Sequence, residues 1–600
     1  MAETAPVLDA IVLDIFWNRL ISICNEQAAA LMRTSFTTIV RESEDLSAGV
    51  FDPAGNMIAQ SVTGTPGHIN SMATCMRHFL ARYPPHTLAP GDVLMTNDPW
   101  FTSGQLHDLT IVTPVFQGSR VVAYFGNTCH AADIGGRGLS ADAREIYEEG
   151  LYLPILKLYS AGVPNDDVLR IIRANVRSPE MVLGDIHAQV SCNEVGGRRL
   201  LEFMSEFGFV SIEPLADEIL TRSERAMRDA IARIPDGRYV GETWSDGFAD
   251  DGPIRIVCAV TVSGSDLAVD YAGSSGASRF GINVVMNYTT AYTTFGIKAA
   301  ISPDVPNNEG SFRPVTVTAP EGCILNAQRP SALAARHVVG HLTPIALFGA
   351  LAQVVPACVM AEGAAAVVVT QTRGFDAKGR PFTFFQTSAG GTGARPSKDG
   401  LDNTGFPSGV AGVPAEIIEV SSPLVLHERS LRTDSGGPGR FRGGLGQRMR
   451  FSIRSNAPWT IAALFDRTRF APRGYCGGGD GARSEFVLSD GTRPDPKIQR
   501  TISPDGGVTL MLAGGGGFWS PIERDPDAVL HDVVNEKVSI AAARSEYGVV
   551  IRYCGARDAV VRLPEDYELD REATTRLRDE MAGGKIGREA AAPVSPGKER

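Results

Sequence analysis

The densest group of side chains able to do chemistry lies between residues 92 and 138, in DVLMTNDPWFTSGQLHDLTIVTPVF and VVAYFGNTCHAADIGGRG. In each half a polar cluster abuts an apolar run of strand type. Asn97, Asp98, Gln105, His107 and Asp108 come from the first half, His130 and Asp133 from the second. Imidazole and carboxylate groups converging from adjacent strand ends are what a catalytic divalent metal needs. They can hold the ion and leave a position open for water. The same residues also suit a structural role, capping strands and satisfying buried backbone groups. Spacing alone leaves both readings open.

Other candidates carry less. Arg336, His337 and His341 sit in SALAARHVVGHLTP, and a His-x-x-x-His spacing places two imidazoles on one helix face. No Glu follows the first His, so the HExxH metalloprotease signature is missing, and a core role for at least one His is expected. His68, in the turn Gly64-Thr65-Pro66-Gly67, reads equally well as a structural hydrogen-bonder. Cys129 beside His130 resembles a nucleophile–base pair, but neighbours on a strand point to opposite faces. The glycine strings CGGGDGARSE (476–485) and LAGGGGFWS (512–520) match neither GxxxxGK[ST] nor GxGxxG before a helix, so they are expected to be tight turns. No GxSxG nucleophile elbow occurs.

The elements that must position these residues are mixed. Leu8, Val12, Phe16, Leu20 and Ile23 recur at helical spacing in an N-terminal amphipathic helix. Short strand-like runs follow from 46 to 127, then helices over 140–233, ended by Pro235-Asp236-Gly237. Strands return after 238, with an alanine-rich helix near 340–353, and 365–520 is glycine-punctuated strand and loop. The absence of βαβ alternation predicts a multidomain α+β fold, with antiparallel-rich mixed sheets and a helical middle segment. Expected boundaries are an N-terminal segment with the metal-like patch (1–140), a helical segment (141–237), a mixed segment (238–364), a glycine-rich segment (365–566) and a charged tail (567–600), read as a short helix fading into disorder.

Composition excludes several classes. With 43% hydrophobic residues the 600-residue chain can bury large cores. A net charge of −11 argues against nucleic acid, whose binders are usually basic. The N-terminus lacks the basic region of a secretory signal, and no apolar run is long enough to span a membrane. The nine cysteines include no CxxC pair, which argues against a disulfide scaffold or zinc knuckle. A cytoplasmic protein is the expectation.

At these residues the chain resembles the hydantoinase B/oxoprolinase family. The resembling stretches are EDLSAGVFDPAGNMIAQ (44–60), the 92–138 patch, DVPNNEGSFRPVTVTAPEGCILNAQRPSAL (304–333), GGTGARPSKDGLDNTG (390–405) and LRTDSGGPGRFRGGLGQ (431–447). They run in order from about residue 8 to 560. The resemblance implies a B-type subunit working with a hydantoinase A-type partner that carries the ATP-Mg site. It implies an ATP-dependent amidohydrolase acting on cyclic amides (5-oxoproline, hydantoins, lactams). ATP-dependent carboxylation of ketones is the alternative within the family, and a non-catalytic partner of the A subunit the alternative outside it. Metal-binding relatives resemble a pattern of His, Asp three residues on, and His 22 beyond.

Asp108 and His130 keep that last interval, whereas Gln105 stands where the first His would be. The resemblance thus implies a divalent metal, zinc or manganese, on Asp45, Gln105, Asp108 and His130, with Asp108 and His130 catalytic. Asp133 would orient His130 or cap the DIGG turn. Asn97 and Asp98 could line the substrate pocket. Arg336 and His337 are candidates to meet substrate, and Arg440 and Arg442 could face an anionic one.

Overall fold

A computed structural model describes residues 10–556, 559 and 561–583. Its first sheet is wholly antiparallel. The strands are β1 (Leu46–Phe51), β2 (Met57–Gln60), β3 (Val93–Thr96), β4 (Asp108–Gln117), β5 (Arg120–His130), β6 (Leu156–Ser160) and β7 (Val163–Pro164), in the order β2-β1-β5-β4-β3-β6-β7. Alternation along the strands gives it two apolar faces. Val50 and Phe125 look to one side, where helices Ala10–Thr34 and Pro179–Phe207 cover them with Leu13, Leu20, Phe203 and Met204. Phe51 and Tyr124 look to the other, against Ile69, Met72 and Phe79 of helix Pro66–Arg82. The N-terminal helix is present, but Val12 is exposed and Leu13 holds the buried position. Leu8 lies outside the described residues.

The helical middle segment is Asp166–Asn175, Pro179–Phe207 and Glu213–Ile231. The long central helix starts with Pro at its first turn and stops at Gly208, whose φ of 70° suits glycine. A second sheet follows: β8 (Gly237–Ser245), β9 (Ile254–Ser263), β10 (Asp266–Asp270) and β11 (Val315–Thr318), in the order β11-β10-β9-β8, with β10 and β11 parallel. Helices Met286–Ile301 and Thr343–Leu351 pack together, the latter also against β8 and β9.

Two further antiparallel sheets enclose one core. The first holds β12 (Val368–Phe375), β13 (Pro381–Ser388), β16 (Trp459–Leu464) and β18 (Arg500–Ile502). The second holds β14 (Leu424–Leu431), β15 (Gln447–Ile453), β17 (Glu485–Leu488) and β19 (Val508–Met511). Phe384, Trp459 and Ile461 from one meet Met449, Phe451 and Leu510 from the other. The architecture is α+β with antiparallel-rich sheets, as the patterning predicts.

The segment boundaries need correction. The cut at 140 falls inside the first sheet, because β6 and β7 join it after that position. One apolar core draws residues from Ala28 through Ile231 and Val338 to Leu464, so neither 237 nor 364 separates independent cores. The short helix expected in the charged tail is Arg571–Ala582, and the strand Tyr567–Leu569 before it pairs with Ile551–Tyr553, across the cut at 566. Residues 584–600 lie outside the described residues.

The glycine strings turn only at Cys476–Gly477, where Gly478 N donates to Tyr475 O (2.9 Å), and elsewhere pack against other segments. Gly515 donates to Gly444 O (2.8 Å), Gly444 to Thr392 O (2.9 Å) and Gly437 to Gly515 O (2.8 Å). Gly516 donates to Glu362 O (2.8 Å), Gly517 to Gly479 O (2.9 Å) and Gly479 to Pro438 O (2.6 Å). Segments around 362, 392, 437, 444, 479 and 515 therefore bond in several directions and form a bundle rather than a sheet. A Cβ on Gly391, Gly443, Gly514 or Gly515 would lie inside the carbonyl of a neighbouring segment. Backbone meets backbone here, and only glycine permits that spacing.

Candidate functional site

The β4–β5 hairpin places the two most conspicuous residues together. Asp108, the first residue of β4, is paired directly with His130, the last of β5, so both side chains leave the sheet on one face. The 22-residue interval is the length of this hairpin. Cys129 points the other way into the apolar core, where burial pushes its thiol well above the usual range.

Asp108 is fully buried and surrounded by donors. Its Oδ2 accepts from Ser103 Oγ (2.6 Å) and Arg336 Nη2 (2.5 Å), and stands 3.2 Å from His68 Nε2. Burial alone would raise its pKa, but Arg336, His68 and His130 outweigh it and hold the carboxyl well below the usual carboxylate range. Its Oδ1 accepts from Gln105 Nε2 (2.7 Å) and is 3.1 Å from His130 Nδ1, which in turn is 2.9 Å from Gln105 Nε2.

This last triangle cannot be satisfied by protons alone. The carboxylate oxygen only accepts and the amide nitrogen only donates. Whichever tautomer His130 adopts, one edge joins two donors or two acceptors. Rotating the Gln105 amide by half a turn would bring Oε1, which has no partner, into the triangle in place of Nε2, at the loss of the 2.7 Å hydrogen bond to Asp108 Oδ1. In that orientation, and with His130 Nδ1 unprotonated, all three atoms would be acceptors. An amide oxygen, a carboxylate oxygen and an imidazole nitrogen form a donor set that suits a divalent cation accepting oxygen ligands. Among the described residues no three His, Cys, Asp or Glu side chains are grouped so as to hold a metal ion, so the ligand set that the family resemblance implies lacks its first imidazole here.

Asp45 is not part of the triangle. Its Oδ1 accepts from Thr65 Oγ1 (3.1 Å) and lies 3.7 Å from His68 Nδ1, so it reaches Asp108 only through that imidazole. Burial would lower the His68 pKa, but the carboxylates of Asp108 and Asp45 raise it overall. His68 enters from the first turn of helix Pro66–Arg82.

Arg336 comes from a turn at 333–336. Its Nε donates to Ser103 O (2.5 Å) and its guanidinium lies 4.2 Å over the Tyr288 ring. It is committed to holding Asp108 and is 4% exposed, so it positions that carboxylate and does not reach out to substrate. His337 does line the pocket, with Nε2 unpartnered. Burial and then the Arg336 charge push its pKa down to about 3, so it is neutral. His341 accepts from Val367 N at Nδ1 (3.4 Å) and therefore donates from Nε2 to Tyr288 Oη (3.0 Å), the expected core role. His107 stacks on His130 at 5.2 Å with neither ring nitrogen partnered, and burial keeps it neutral.

The remaining candidates lie elsewhere. Asn97 binds Leu106 O, Leu151 O and Leu153 N, and is fully buried among them. Asp98 holds Arg329 (2.6 Å) and Tyr152 Oη (2.7 Å). Both order the 97–106 loop and neither lines the pocket. Asp133 accepts from Gly135 N (3.1 Å) and Arg177 Nη1 (2.7 Å), which makes it the cap of the DIGG turn, not an orienter of His130. Arg442 is buried against Asp532 and Asp402, and Arg440 flanks it on the glycine bundle far along the chain.

The pocket bounded by Asp45, His68, Gln105, His130, Tyr288, Arg336 and His337 has a volume of about 30 Å³, room for water but not for a ring. Across the Gly64–Pro66 turn lies a cleft of about 570 Å³, lined among others by Gln60, Asn70, Lys298 and Asn307. Behind the pocket, Glu149 accepts from Leu333 N (2.6 Å) and Ala334 N (2.8 Å) and so fixes the turn that aims Arg336. Burial pushes its pKa up to about 8. A carboxyl raised above its solution value of 4.5 stabilises the fold in its protonated form, a contribution complete at low pH and lost as pH rises toward 8. Glu149→Gln removes that loss. The Tm of the variant relative to the unaltered chain is expected to climb between about pH 5 and 8. A pH-independent difference would mean that Glu149 is charged in the fold.

The chain matches the hydantoinase B/oxoprolinase family over residues 9–521. It belongs to that family. Caprolactamase subunit beta of Pseudomonas jessenii is 30% identical, with 92% of this chain and 98% of that one covered. The 5-oxoprolinase of Dictyostelium discoideum is 27% identical over 85% of this chain, which corresponds to 40% of its own length. The crystal structure of the ATP-dependent caprolactamase from P. jessenii superposes with a TM-score of 0.85 at 28% identity, covering 96% of this chain and all of that one. A nucleotide-free acetone carboxylase shares the fold, with a TM-score of 0.86 at 19% identity over 97% and 84% of the two chains.

Proposed function

We propose that this family member is the B-type subunit of an ATP-dependent cyclic-amide hydrolase, acting with an A-type subunit that holds ATP-Mg. An amide is a poor electrophile, and phosphorylation of its oxygen by the partner makes the ring carbon open to water. Water then adds to that carbon, the ring C–N bond breaks with a proton passing to nitrogen, and phosphate departs on hydrolysis of the acyl phosphate. The observation that carries this reading is the buried Asp108–His130–Gln105 convergence beside a water-sized pocket, in a chain 30% identical along its length to a caprolactamase subunit.

Asp108, His130 and the Gln105 amide oxygen would hold a divalent metal. Such an ion supplies Lewis acidity and lowers the pKa of water. Arg336 and Ser103 fix Asp108 through its second oxygen, so its first stays aimed at the triangle. The neutral His337, unpartnered at Nε2, offers a hydrogen bond to the ring. The 570 Å³ cleft meets the pocket at the turn, Gly64 and Pro66 lining one and Thr65 the other, and the ring would enter past that turn.

The test is to produce the chain together with its A-type subunit and measure phosphate release with 5-oxoproline, hydantoins, lactams and ketones, with and without bicarbonate. Release dependent on a cyclic amide and indifferent to bicarbonate is expected, with the ring-opened product abolished by His130→Ala. Bicarbonate-dependent labelling of product would replace the hydrolase by a ketone carboxylase. Full turnover in the His130 variant would make the chain a scaffold for its partner.

A further inference from the structure

We propose that the cleft beside the pocket contains an oxyanion site, formed by Lys298 and Gln60, that receives the charged group of an anionic substrate. The inference rests on the cleft being the substrate's way to the pocket, as proposed above, and names the chemistry it accepts. Apolar side chains of Ile21, Ile69, Phe295 and Val305 line much of the cleft, and among the described residues on its lining Lys298 is the only cation. Lys298 stands in the last turn of helix Met286–Ile301 and is 7% exposed. Its Nζ donates to Ser302 O and Val305 O, which fixes the ammonium and leaves one of its three N–H groups over. Among the described residues no carboxylate lies within 4.0 Å of it. The other buried lysine, Lys497, has Asp466 at 3.9 Å. Asp304 also lines the cleft, but it is exposed to water, which screens its charge. A buried cation without a counter-charge keeps its desolvation penalty, and burial pushes the Lys298 pKa down to about 8. An oxyanion in the cleft supplies the missing counter-charge.

A second donor follows from the order of hydrogen bonds along the cleft wall. Asn70 Nδ2 donates to Ala291 O (3.1 Å), an atom that only accepts, so the other atom of that amide is the oxygen. Asn70 Oδ1 accepts from Asn307 Nδ2 (2.9 Å), whose second proton goes to Gln60 Oε1 (2.7 Å). Each amide along this chain is thereby oriented by the one before it. Both N–H groups of Gln60 Nε2 are left without a protein partner, on a residue that lines the cleft. An ammonium and a primary amide set among apolar walls are donors suited to a carboxylate or phosphoryl oxygen. Two groups on the substrate have that chemistry. One is a carboxylate on the ring, as in 5-oxoproline, and the other is the phosphoryl group that the A-type subunit would place on the amide oxygen.

The experiment reads binding rather than turnover. The full chain is titrated calorimetrically with 5-oxoproline, with 2-pyrrolidinone, which is the same ring without its carboxylate, and with inorganic phosphate. At least one of the two oxyanions is expected to bind about tenfold or more tightly than 2-pyrrolidinone. From pH 8 upward its Kd should rise about tenfold per unit as Lys298 loses its proton. Gln60→Glu keeps the acceptor for Asn307 and exchanges the free N–H pair for a negative charge. It should weaken oxyanion binding by about tenfold or more in a chain that still folds, and leave the neutral ring unaffected. Lys298→Met should do the same, with its Tm measured alongside because it also loses the bonds to Ser302 and Val305. Binding of 5-oxoproline that phosphate does not displace assigns the site to a ring carboxylate. Binding of phosphate alone assigns it to the phosphoryl group, and mutual displacement means that one site serves both. No binding of either oxyanion, charged and neutral ligands held equally, or oxyanion binding unchanged in Gln60→Glu would overturn the proposal. Oxyanion binding as described, in a chain whose complex shows no amide-dependent phosphate release, defeats the hydrolase reading alone.

Discussion

Asp108→Asn is expected to abolish product formation and to cost stability at the same time. The substitution removes the only carboxylate in the triangle, so turnover should fall by roughly three orders of magnitude or more, the scale at which a charged catalytic group contributes. It also leaves the Arg336 guanidinium buried without its counter-charge. Breaking a buried pair from one side costs about 3–5 kcal/mol, because the surviving charge keeps its desolvation penalty. Denaturant unfolding of the isolated chain checks the second effect and product assays of the complex the first. Arg336→Met added to Asp108→Asn removes the stranded charge. The double variant should regain much of the stability and none of the activity. If it is no more stable than the single variant, Arg336 is not the anchor of Asp108.

The other large effect lies far from any chemistry. Gly515→Ala puts a methyl group inside the carbonyl of Thr392, with Gly393 N at 2.7 Å behind it. A flexible side chain could move aside, but here the obstacle is backbone that is itself hydrogen-bonded on the next segment. A loss of more than about 3 kcal/mol is expected, beyond the usual 1–3 for overpacking, and seen as insoluble protein or a collapsed Tm. Gly276→Ala is the control, since open space surrounds that position and its change should stay within about 0.5 kcal/mol. A Gly515→Ala chain that melts beside the control would show that the bundle can loosen.

Asp108 and His130 were legible because the signal is local. Two strands of matched length and one tight turn bring their ends together, and a sequence interval records that. The antiparallel α+β class was legible for the same reason, since short alternating strands and long periodic helices announce themselves within a few residues. His68 was visible only as a histidine in a turn, because its role depends on how helix Pro66–Arg82 lies across the sheet. Arg336, 228 residues from Asp108, looked like a group for substrate and proved to be the partner of a buried carboxylate. Nothing in its neighbourhood distinguishes those roles.

Asn97 and Asp98 misled for the opposite reason. Polar residues beside a site are common, and theirs serve the loop that carries Gln105. The glycine strings were read only in part, because a glycine run is compatible with a turn, a phosphate loop or a close-packed segment. The choice is made by partners from about 40 residues away (Gly479–Pro438) to about 150 (Gly516–Glu362).

Those partners set an order of events for the nascent chain. The bundle is built from segments near 362, 392, 437, 444 and 479, and its last member, 513–517, lies between several of them. Until that member leaves the ribosome, the earlier segments lack the carbonyls of Ala513, Gly515 and Gly516 to which Gly391, Gly437 and Ala394 donate. Contacts of such high sequence separation form slowly and late. The second half of the protein should therefore stay protease-sensitive through most of its synthesis and become resistant abruptly once the chain passes about residue 518. A split placed between the two halves of the bundle would separate pieces that cannot mature apart.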